Sequence, residues 1–207
     1  MKGAVIGIAC LVVGGIVGVL AGRNLGAADE KGTAAVSGAT PQKAAKLPAR
    51  GDTYEVLGRI WGLKNFAVKY DEKVYRGGEM ISEEGAQNLA AWGIRTVISA
   101  VPTDQERLLC RKYNMKLVEL PFEKKELKPA TIDKALAAFK SEKTPFYVHC
   151  HGGTHRGGFL CLVYRTAVCG WDLEKAKAEY SALGGDPDNG DKVVIDVVKP
   201  WLEARKK

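Results

Sequence analysis

Runs of apolar and polar residues divide most of the chain into short strands and amphipathic helices. Apolar or β-branched runs predict strands at 66–70, 74–76, 96–101, 116–120 and 146–149. Helical composition or spacing predicts helices at 83–92, 104–113, 131–139, 158–168, 172–183 and 192–204. Because strands and helices alternate, we expect an α/β fold with a central, mostly parallel sheet flanked by helices.

The start of the chain has a different pattern. Residues 3–22 contain no charged side chain and are mostly Ala, Val, Ile, Leu and Gly. A helix of this length spans about 30 Å, the thickness of the hydrocarbon core of a bilayer. We therefore predict that residues 1–23 are a single-pass membrane anchor that crosses with residues 4–21, or a signal peptide cleaved after Ala28 before export.

The anchor leaves two properties open. Positive charges lie on both sides of it, so the side of the membrane that holds the rest of the protein is not determined. Gly14, Gly18 and Gly22 have the small-xxx-small spacing that permits a weak helix dimer. Residues 24–50 have linker composition, and residues 51–207 form the expected globular domain.

Charge and cysteine content exclude two classes of protein. The net charge of +7 is concentrated at the start of the chain, where residues 1–50 have six Lys or Arg against two Asp or Glu. Residues 51–207 are nearly balanced, which disfavours a nucleic-acid partner. Five scattered cysteines do not make a disulfide scaffold. We expect Cys161 and Cys169 to be core residues and Cys110 to have a structural role.

The segment Phe-Tyr-Val-His-Cys-His-Gly-Gly-Thr-His-Arg-Gly-Gly, which starts at Phe146, carries the candidate chemistry. A cysteine ends a predicted strand, an arginine follows six residues later, and a helix begins at once. Such a loop directs backbone N–H groups and the positive end of a helix dipole into one concavity, which suits an oxyanion such as phosphate. Arg156 can bind two of its oxygens, and the same field stabilises a Cys150 thiolate as a nucleophile.

The Cys-x5-Arg spacing, placed between a strand and an apolar helix, resembles the signature of the cysteine-dependent dual-specificity phosphatases. Val74-Tyr-Arg-Gly-Gly and Gly93-Ile-Arg-Thr-Val-Ile-Ser are similar to upstream segments of the atypical members from bacteria, plants and fungi. The loop also fits the Cys-x-x-Gly-x-His-Arg form of the plant and fungal group. The resemblance covers residues 62–183.

This resemblance implies a phosphatase mechanism and a set of site residues. Cys150 would become a phosphocysteine and Arg156 would clamp the phosphate. His149 would hydrogen-bond locally and help to set the thiolate, and the amides of the loop would hold the phosphate oxygens. The residues expected at the substrate are His149, His151, Gly152, Gly153, Thr154, His155 and Gly157.

Two positions depart from the family pattern. The family has Ser or Thr after the arginine, where this chain has Gly157. Several relatives have a catalytic Asp where this chain has Lys124, which makes Glu123 the nearest candidate for the general acid. Glu126 and Asp104 are the other candidates.

Three interpretations therefore remain for the loop. The first is a phosphomonoester hydrolase without a cofactor, acting on a phosphoprotein or a small phosphate ester. The second is a pseudophosphatase that binds a phosphorylated partner with little turnover, because of Gly157 and Lys124. The third, a metal site formed by the histidines around Cys150, is disfavoured because side chains of a loop wrapped around an anion do not converge on one ion.

Overall fold

The computed structural model describes Gly51 and residues 53–205. The predicted anchor at 1–23 and the predicted linker at 24–50 lie outside the described residues. Within the part that is described, none of the helices has the length and apolar character needed to span a bilayer.

Within residues 53–205, six strands form one sheet. They are β1 (Glu55–Gly58), β2 (Ala67–Lys69), β3 (Val74–Gly77), β4 (Thr96–Ser99), β5 (Lys116–Glu119) and β6 (Phe146–His149). Their order across the sheet is β1-β2-β3-β6-β4-β5. The pairs β3–β6, β6–β4 and β4–β5 are parallel.

The sheet is mixed: the expected parallel pairing holds for β3, β6, β4 and β5, and the two pairs at the β1 edge are antiparallel. Strand β2 pairs antiparallel with both β1 and β3. The turn between β2 and β3 is closed by Asp71, whose Oδ1 accepts from the backbone N–H groups of Lys73 and Val74 at 2.8 and 3.0 Å. Strand β1 was not predicted, because its four residues are exposed or only half-buried and show no apolar run.

Helices cover both faces of this sheet. They are α1 (Glu83–Ala91), α2 (Asp104–Lys112), α3 (Pro129–Ser141), α4 (Arg156–Ala167), α5 (Leu173–Ala182) and α6 (Lys192–Glu203), with a short 3-10 helix at Lys124–Glu126. On one face, α4 packs against α3, α5 and α6. On the other, α1 and α2 share an apolar cluster with Val97 and Tyr147.

The packing bears out the predicted core position of Cys161 and the structural role of Cys110, and it corrects the prediction for Cys169. Cys161 and Cys110 are buried in the two apolar clusters. Cys169 is exposed, because α4 ends at Ala167 and leaves this residue in the following loop.

The candidate site is at the carboxyl edge of the three central parallel strands. Strand β6 lies between β3 and β4, so the loops that follow these strands are neighbours. The Glu79 N–H donates to the His151 carbonyl at 3.3 Å, and the Ala100 N–H donates to the His149 carbonyl at 3.0 Å. The loop after β6 is therefore held on both sides by its neighbours.

Candidate active site

Residues 150–156, here called the phosphate loop, connect β6 directly to α4. Cys150 is the first residue after the strand and is 4% exposed, and Arg156 is the first residue of the helix. The loop thus brings the predicted nucleophile and the predicted clamp to the N-terminus of a buried helix. Its positive end can stabilise an anion held by the loop.

Glycines in the phosphate loop and at the end of β3 allow the two backbones to approach closely. Gly153 has a φ of +78°, and a Cβ there would lie 2.4 Å from the carbonyl carbon of Gly77. The loop backbone therefore packs directly on the Val74-Tyr-Arg-Gly-Gly segment, and a side chain at Gly153 would separate the two. The Tyr147 hydroxyl donates to the Gly78 carbonyl at 2.7 Å and fixes this contact from the sheet.

Further loop residues have defined surroundings. Asn65 Nδ2 donates to the Gly152 carbonyl at 2.9 Å, a contact that was not expected from the sequence. The Thr154 methyl group lies 3.1 Å from the position that a Cβ on Gly184 would take. At Gly157 a Cβ would lie 3.4 Å from the Cys150 nitrogen, so this position has room for a side chain against the start of the loop.

The loop after β5, residues 120–127, lies against the N-terminus of α4; we call it the acid loop. Arg156 Nη1 donates to Glu123 Oε1 at 2.8 Å and to the Phe122 carbonyl at 3.3 Å. The structure therefore brings Glu123 to the predicted clamp. Glu126 is exposed in the 3-10 helix that follows.

Asp104, the third candidate acid, is placed elsewhere. It begins α2, its side chain is 97% exposed, and it accepts from Arg107 Nη1 at 2.6 Å. Helix α2 packs on the face of the sheet opposite to α4, which separates this carboxylate from Arg156. We therefore do not retain Asp104 as a candidate acid.

His149 is fully buried beneath the phosphate loop. Its Nε2 contacts the Glu106 carboxylate of α2, its Nδ1 lies 3.3 Å from the Cys150 carbonyl, and its ring stacks on Tyr147. This corrects the expectation that His149 contacts the substrate, because a fully buried imidazole on the α2 side cannot line the anion cradle. Any effect on Cys150 must pass through the backbone.

His151 is on the outer side of the loop and belongs to a charged group. Its Nδ1 lies 2.9 Å from Glu79 Oε2, and its Nε2 lies 2.5 Å from Lys64 Nζ. Lys64 also pairs with Glu79 at 3.4 Å. A lysine that the sequence did not indicate therefore stands beside the phosphate loop.

His155 is bound to a buried carboxylate on the opposite side. Its Nδ1 lies 2.8 Å from Oδ2 of Asp191, which is fully buried and also accepts from the Tyr180 hydroxyl at 2.7 Å. Lys124 Nζ donates to Asp191 Oδ1 at 2.7 Å. Burial opposes ionisation of Asp191, but the hydrogen bonds from Lys124 and His155 hold its pKa below the usual range.

These contacts give Lys124 a role different from that of the aspartate it replaces. Through Asp191, the acid loop is tied to the loop between α5 and α6 and to His155 of the phosphate loop. Each of the three histidines is thus bound to a different carboxylate: Glu106, Glu79 or Asp191. No local pattern in the sequence indicates these acids, because they are 36 to 72 residues away from their histidines.

The arrangement can carry out transfer of a phosphoryl group to sulfur. The Cys150 thiol lies at the end of a strand, next to a helix N-terminus. Arg156, six residues later, can bind an anion. A carboxylate on the acid loop reaches that arginine. This combination supplies a nucleophile, an oxyanion site and a candidate proton donor.

Comparison with known proteins agrees with this geometry. A family model described as PTP-SAK, Swiss Army Knife protein, DSP-PTPase phosphatase domain, matches residues 77–190. The chain matches none of the curated proteins.

Solved structures share the fold. P. aeruginosa TpbA in complex with phosphotyrosine has a TM-score of 0.59 and 20% identity, over 77% of this chain and 99% of that one. A phosphatase (DUF442) of Shewanella putrefaciens has a TM-score of 0.56 and 16% identity, over 70% of this chain and 91% of the other. PTPMT1 in complex with PI(5)P has a TM-score of 0.52 and 20% identity, over 66% and 96% of the two chains. Because the family model spans more than half of the sequence, we conclude that the chain belongs to the DSP-PTPase phosphatase domains and is a cysteine-dependent phosphatase.

Proposed function

We propose that this protein hydrolyses phosphomonoesters through a phosphocysteine intermediate on Cys150. One observation carries the proposal: Cys150 and Arg156 stand at the two ends of one glycine-containing loop between β6 and α4. The proposed substrates are phosphoproteins or small phosphate esters. Structural neighbours in complex with phosphotyrosine and with PI(5)P support a phosphorylated substrate.

In the first step the Cys150 thiolate attacks phosphorus. The S–P bond forms while the bond from phosphorus to the leaving oxygen breaks, and that oxygen takes a proton from the general acid. Arg156 and the amides of the phosphate loop stabilise the equatorial oxygens. In the second step water attacks phosphorus, the S–P bond breaks, and the thiolate is regenerated with release of phosphate.

We assign the general acid to Glu123. Its carboxylate lies 2.8 Å from Arg156 Nη1, and its side chain is 69% exposed. A bound phosphate competes for the same guanidinium. The displaced carboxylate takes a proton from solvent and passes it to the leaving oxygen; in the second step it accepts a proton from the attacking water, which restores the acid.

The second candidate function is a pseudophosphatase that binds a phosphorylated partner and turns over poorly. Gly157 favours it, because a hydroxyl at this position would stabilise the departing sulfur in the second step. Lys124 favours it as well, because it stands where several relatives have the catalytic Asp.

Hydrolysis of para-nitrophenyl phosphate by the full-length chain separates the two functions. The proposed enzyme turns over many times, and Cys150→Ser abolishes hydrolysis while it retains binding of vanadate. Cys169→Ser, a change at an exposed cysteine outside the loop, serves as the matched control and leaves activity unchanged. Phosphate or vanadate binding without turnover in the wild type would instead establish the pseudophosphatase.

A further inference from the structure

Arg76 is a buried arginine without a carboxylate partner among the described residues. It is on β3 and fully buried; its Nη1 donates to the Tyr70 hydroxyl at 2.8 Å and its Nη2 to the Leu183 carbonyl at 3.0 Å. Its Nε makes no hydrogen bond within the described part of the chain. Both partners are neutral, and the guanidinium group keeps its charge inside proteins. A buried charge in this state is costly unless an anion stands near it.

A second buried arginine, Arg165, has its charge compensated by a carboxylate, as is usual for buried charges. Arg165, near the other end of α4, binds the buried Glu179 carboxylate through Nε at 2.9 Å and Nη2 at 3.1 Å. Arg76 packs against α4 and Arg165 belongs to it, and the two differ in whether a carboxylate compensates them. This contrast makes Arg165 a matched reference for Arg76.

The position of Arg76 adds a second electrostatic cost. Its Cα pairs with that of Val148 on β6, two residues before Cys150. Its Nη1 lies 2.8 Å from the position that a Cβ on Gly158 would take, and Gly158 is the third residue of α4. The cation therefore stands beside the positive end of the α4 dipole, where a positive charge is unfavourable. An anion in the phosphate loop removes both costs.

We propose that Arg76 is a positioning residue of the phosphate site, whose fixed charge behind the loop stabilises the Cys150 thiolate and the bound phosphate without touching either. The proposal rests on the proposed function and deepens it. It assigns a role to the arginine of the Val74-Tyr-Arg-Gly-Gly segment, beside the two glycines on which the phosphate loop packs.

The ionisable groups around Arg76 do not compensate it at neutral pH. Burial raises the pKa of Cys161 to about 12 and raises the pKa values of Tyr70 and Tyr180, while Arg76 lowers each of them. Tyr180 also responds to the charge of a Cys150 thiolate, so it lies within electrostatic range of both groups. The nearby carboxylates are bound to other cations, Glu179 to Arg165 and Asp191 to Lys124.

The test compares variants of Arg76 in the full-length protein. Arg76→Gln removes the charge and keeps a hydrogen-bond donor, whereas Arg76→Lys keeps the charge. Two quantities are measured: the pH midpoint of alkylation of Cys150 by iodoacetamide, followed by mass spectrometry of its peptide, and the Kd of vanadate. We expect Arg76→Gln to shift the midpoint upward and to weaken vanadate binding by about tenfold or more, and Arg76→Lys to retain most of both properties.

The control variant is Arg165→Gln, which disturbs the buried arginine of α4 and leaves the pH midpoint of Cys150 alkylation in place. Equal midpoints and equal Kd values for wild type and Arg76→Gln would overturn the proposal, as would equal losses in Arg76→Lys and Arg76→Gln.

If Arg76→Gln does not fold, Gly158→Ala is compared with Gly185→Ala. A Cβ at either position meets the Tyr180 ring, at 2.5 and 2.4 Å, but only the one at Gly158 also lies 2.8 Å from Arg76 Nη1. A midpoint raised in Gly158→Ala and not in Gly185→Ala supports the proposal, and equal midpoints overturn it. The alkylation measurement needs no turnover, so a protein that fails to hydrolyse phosphate esters can still show the shift.

Discussion

The carboxylate of Glu123 lies 2.8 Å from the guanidinium of Arg156. The clamp that is proposed to bind phosphate is therefore paired with an acid from the neighbouring loop. This pair uses Nη1, so a phosphate that takes Nη1 replaces the carboxylate and couples its own binding to release of the proposed general acid. Removal of the Glu123 charge thus affects both binding and chemistry.

Glu123→Gln should slow hydrolysis of an alkyl phosphate by about a hundredfold and affect para-nitrophenyl phosphate much less. The reason is that an alkoxide needs a proton to leave, whereas para-nitrophenolate does not. The same variant should bind inorganic phosphate more tightly, since an uncharged side chain competes less for Arg156. Steady-state kinetics with both substrates and phosphate inhibition constants measure these effects.

Glu126→Gln is the matched control for this experiment, because Glu126 is exposed on the same loop and should leave both rates near their wild-type values. Equal losses for the alkyl and the phenyl ester in Glu123→Gln would reject the acid role. A selective loss in Glu126→Gln would transfer the role to that residue.

Gly157 is expected to make the second step slower than the first with an activated substrate. Rapid mixing with para-nitrophenyl phosphate should show a burst of phenol that approaches one per active site, followed by slower turnover. Gly157→Thr should raise the steady rate by about tenfold, or ~1.4 kcal/mol of barrier, because its hydroxyl can stabilise the departing sulfur. The structure has room for the Cβ of this change, since that atom would lie 3.4 Å from the Cys150 nitrogen and from two backbone atoms of His149.

Gly157→Ala is the appropriate control, because it adds the same Cβ without a hydroxyl and should keep the burst. A wild-type reaction without a burst, together with an unchanged rate in Gly157→Thr, would show that another donor already assists the sulfur.

The parallel part of the fold could be predicted from the sequence because each strand there is a short apolar run followed by an amphipathic helix. Strand β6 was predicted with its correct ends, and β4 and β5 within two residues. The antiparallel strand β1 was missed because it has no apolar run of its own and is a strand only through its pairing with β2. Helix α1 begins after Ser82, and a capping box would place an acidic residue three positions later. The chain has Gly85 there because a Cβ would lie 2.1 Å from the Gly62 carbonyl oxygen.

For the site, the sequence indicated the features that neighbouring residues form and missed the contacts between residues far apart in the chain. The phosphate loop and its glycines form one contiguous segment, so their placement followed from the predicted strand and helix. The buried positions of Arg76 and Asp191, and the pairing of His149 with Glu106, depend on contacts between elements far apart in the chain. No spacing rule reveals such contacts, because they depend on how the helices pack on the sheet.

Asp191→Asn should destabilise the protein by about 2 kcal/mol at pH 7, because it weakens several hydrogen bonds to a buried charge. The pKa of Asp191 is lowered in the folded protein, so its contribution is complete above the ordinary pKa of about 3.9 and is lost as the pH falls further. Urea unfolding at pH 7, 5 and 3.5 should therefore show a constant difference from wild type at the two higher values and a smaller one at the lowest.

Asp196→Asn provides the comparison, since Asp196 pairs with Lys192 on the exposed surface of α6 and should change stability by less than about 0.5 kcal/mol. A difference between wild type and Asp191→Asn that grows toward acid pH would contradict the ionised state of Asp191.

We also propose that residues 4–21 attach the protein to a membrane. Full-length protein should then partition into the membrane fraction and leave it only with detergent, because a run of this length buries its apolar side chains in lipid. Protein recovered from the soluble fraction with its first residue after position 28 would show cleavage of a signal peptide instead. Fractionation followed by N-terminal sequencing makes the measurement.

The central claim is that Cys150 carries the phosphoryl group. The most direct measurement is an acid quench during turnover of para-nitrophenyl phosphate, followed by digestion and mass spectrometry of the peptide that contains Cys150. The account predicts that this peptide gains the mass of one phosphoryl group in the wild type, and that Cys150→Ser neither hydrolyses the substrate nor yields a labile adduct. Turnover that persists in Cys150→Ser, or a wild-type enzyme that turns over while its Cys150 stays unmodified in a quench fast enough to catch the burst, would contradict it.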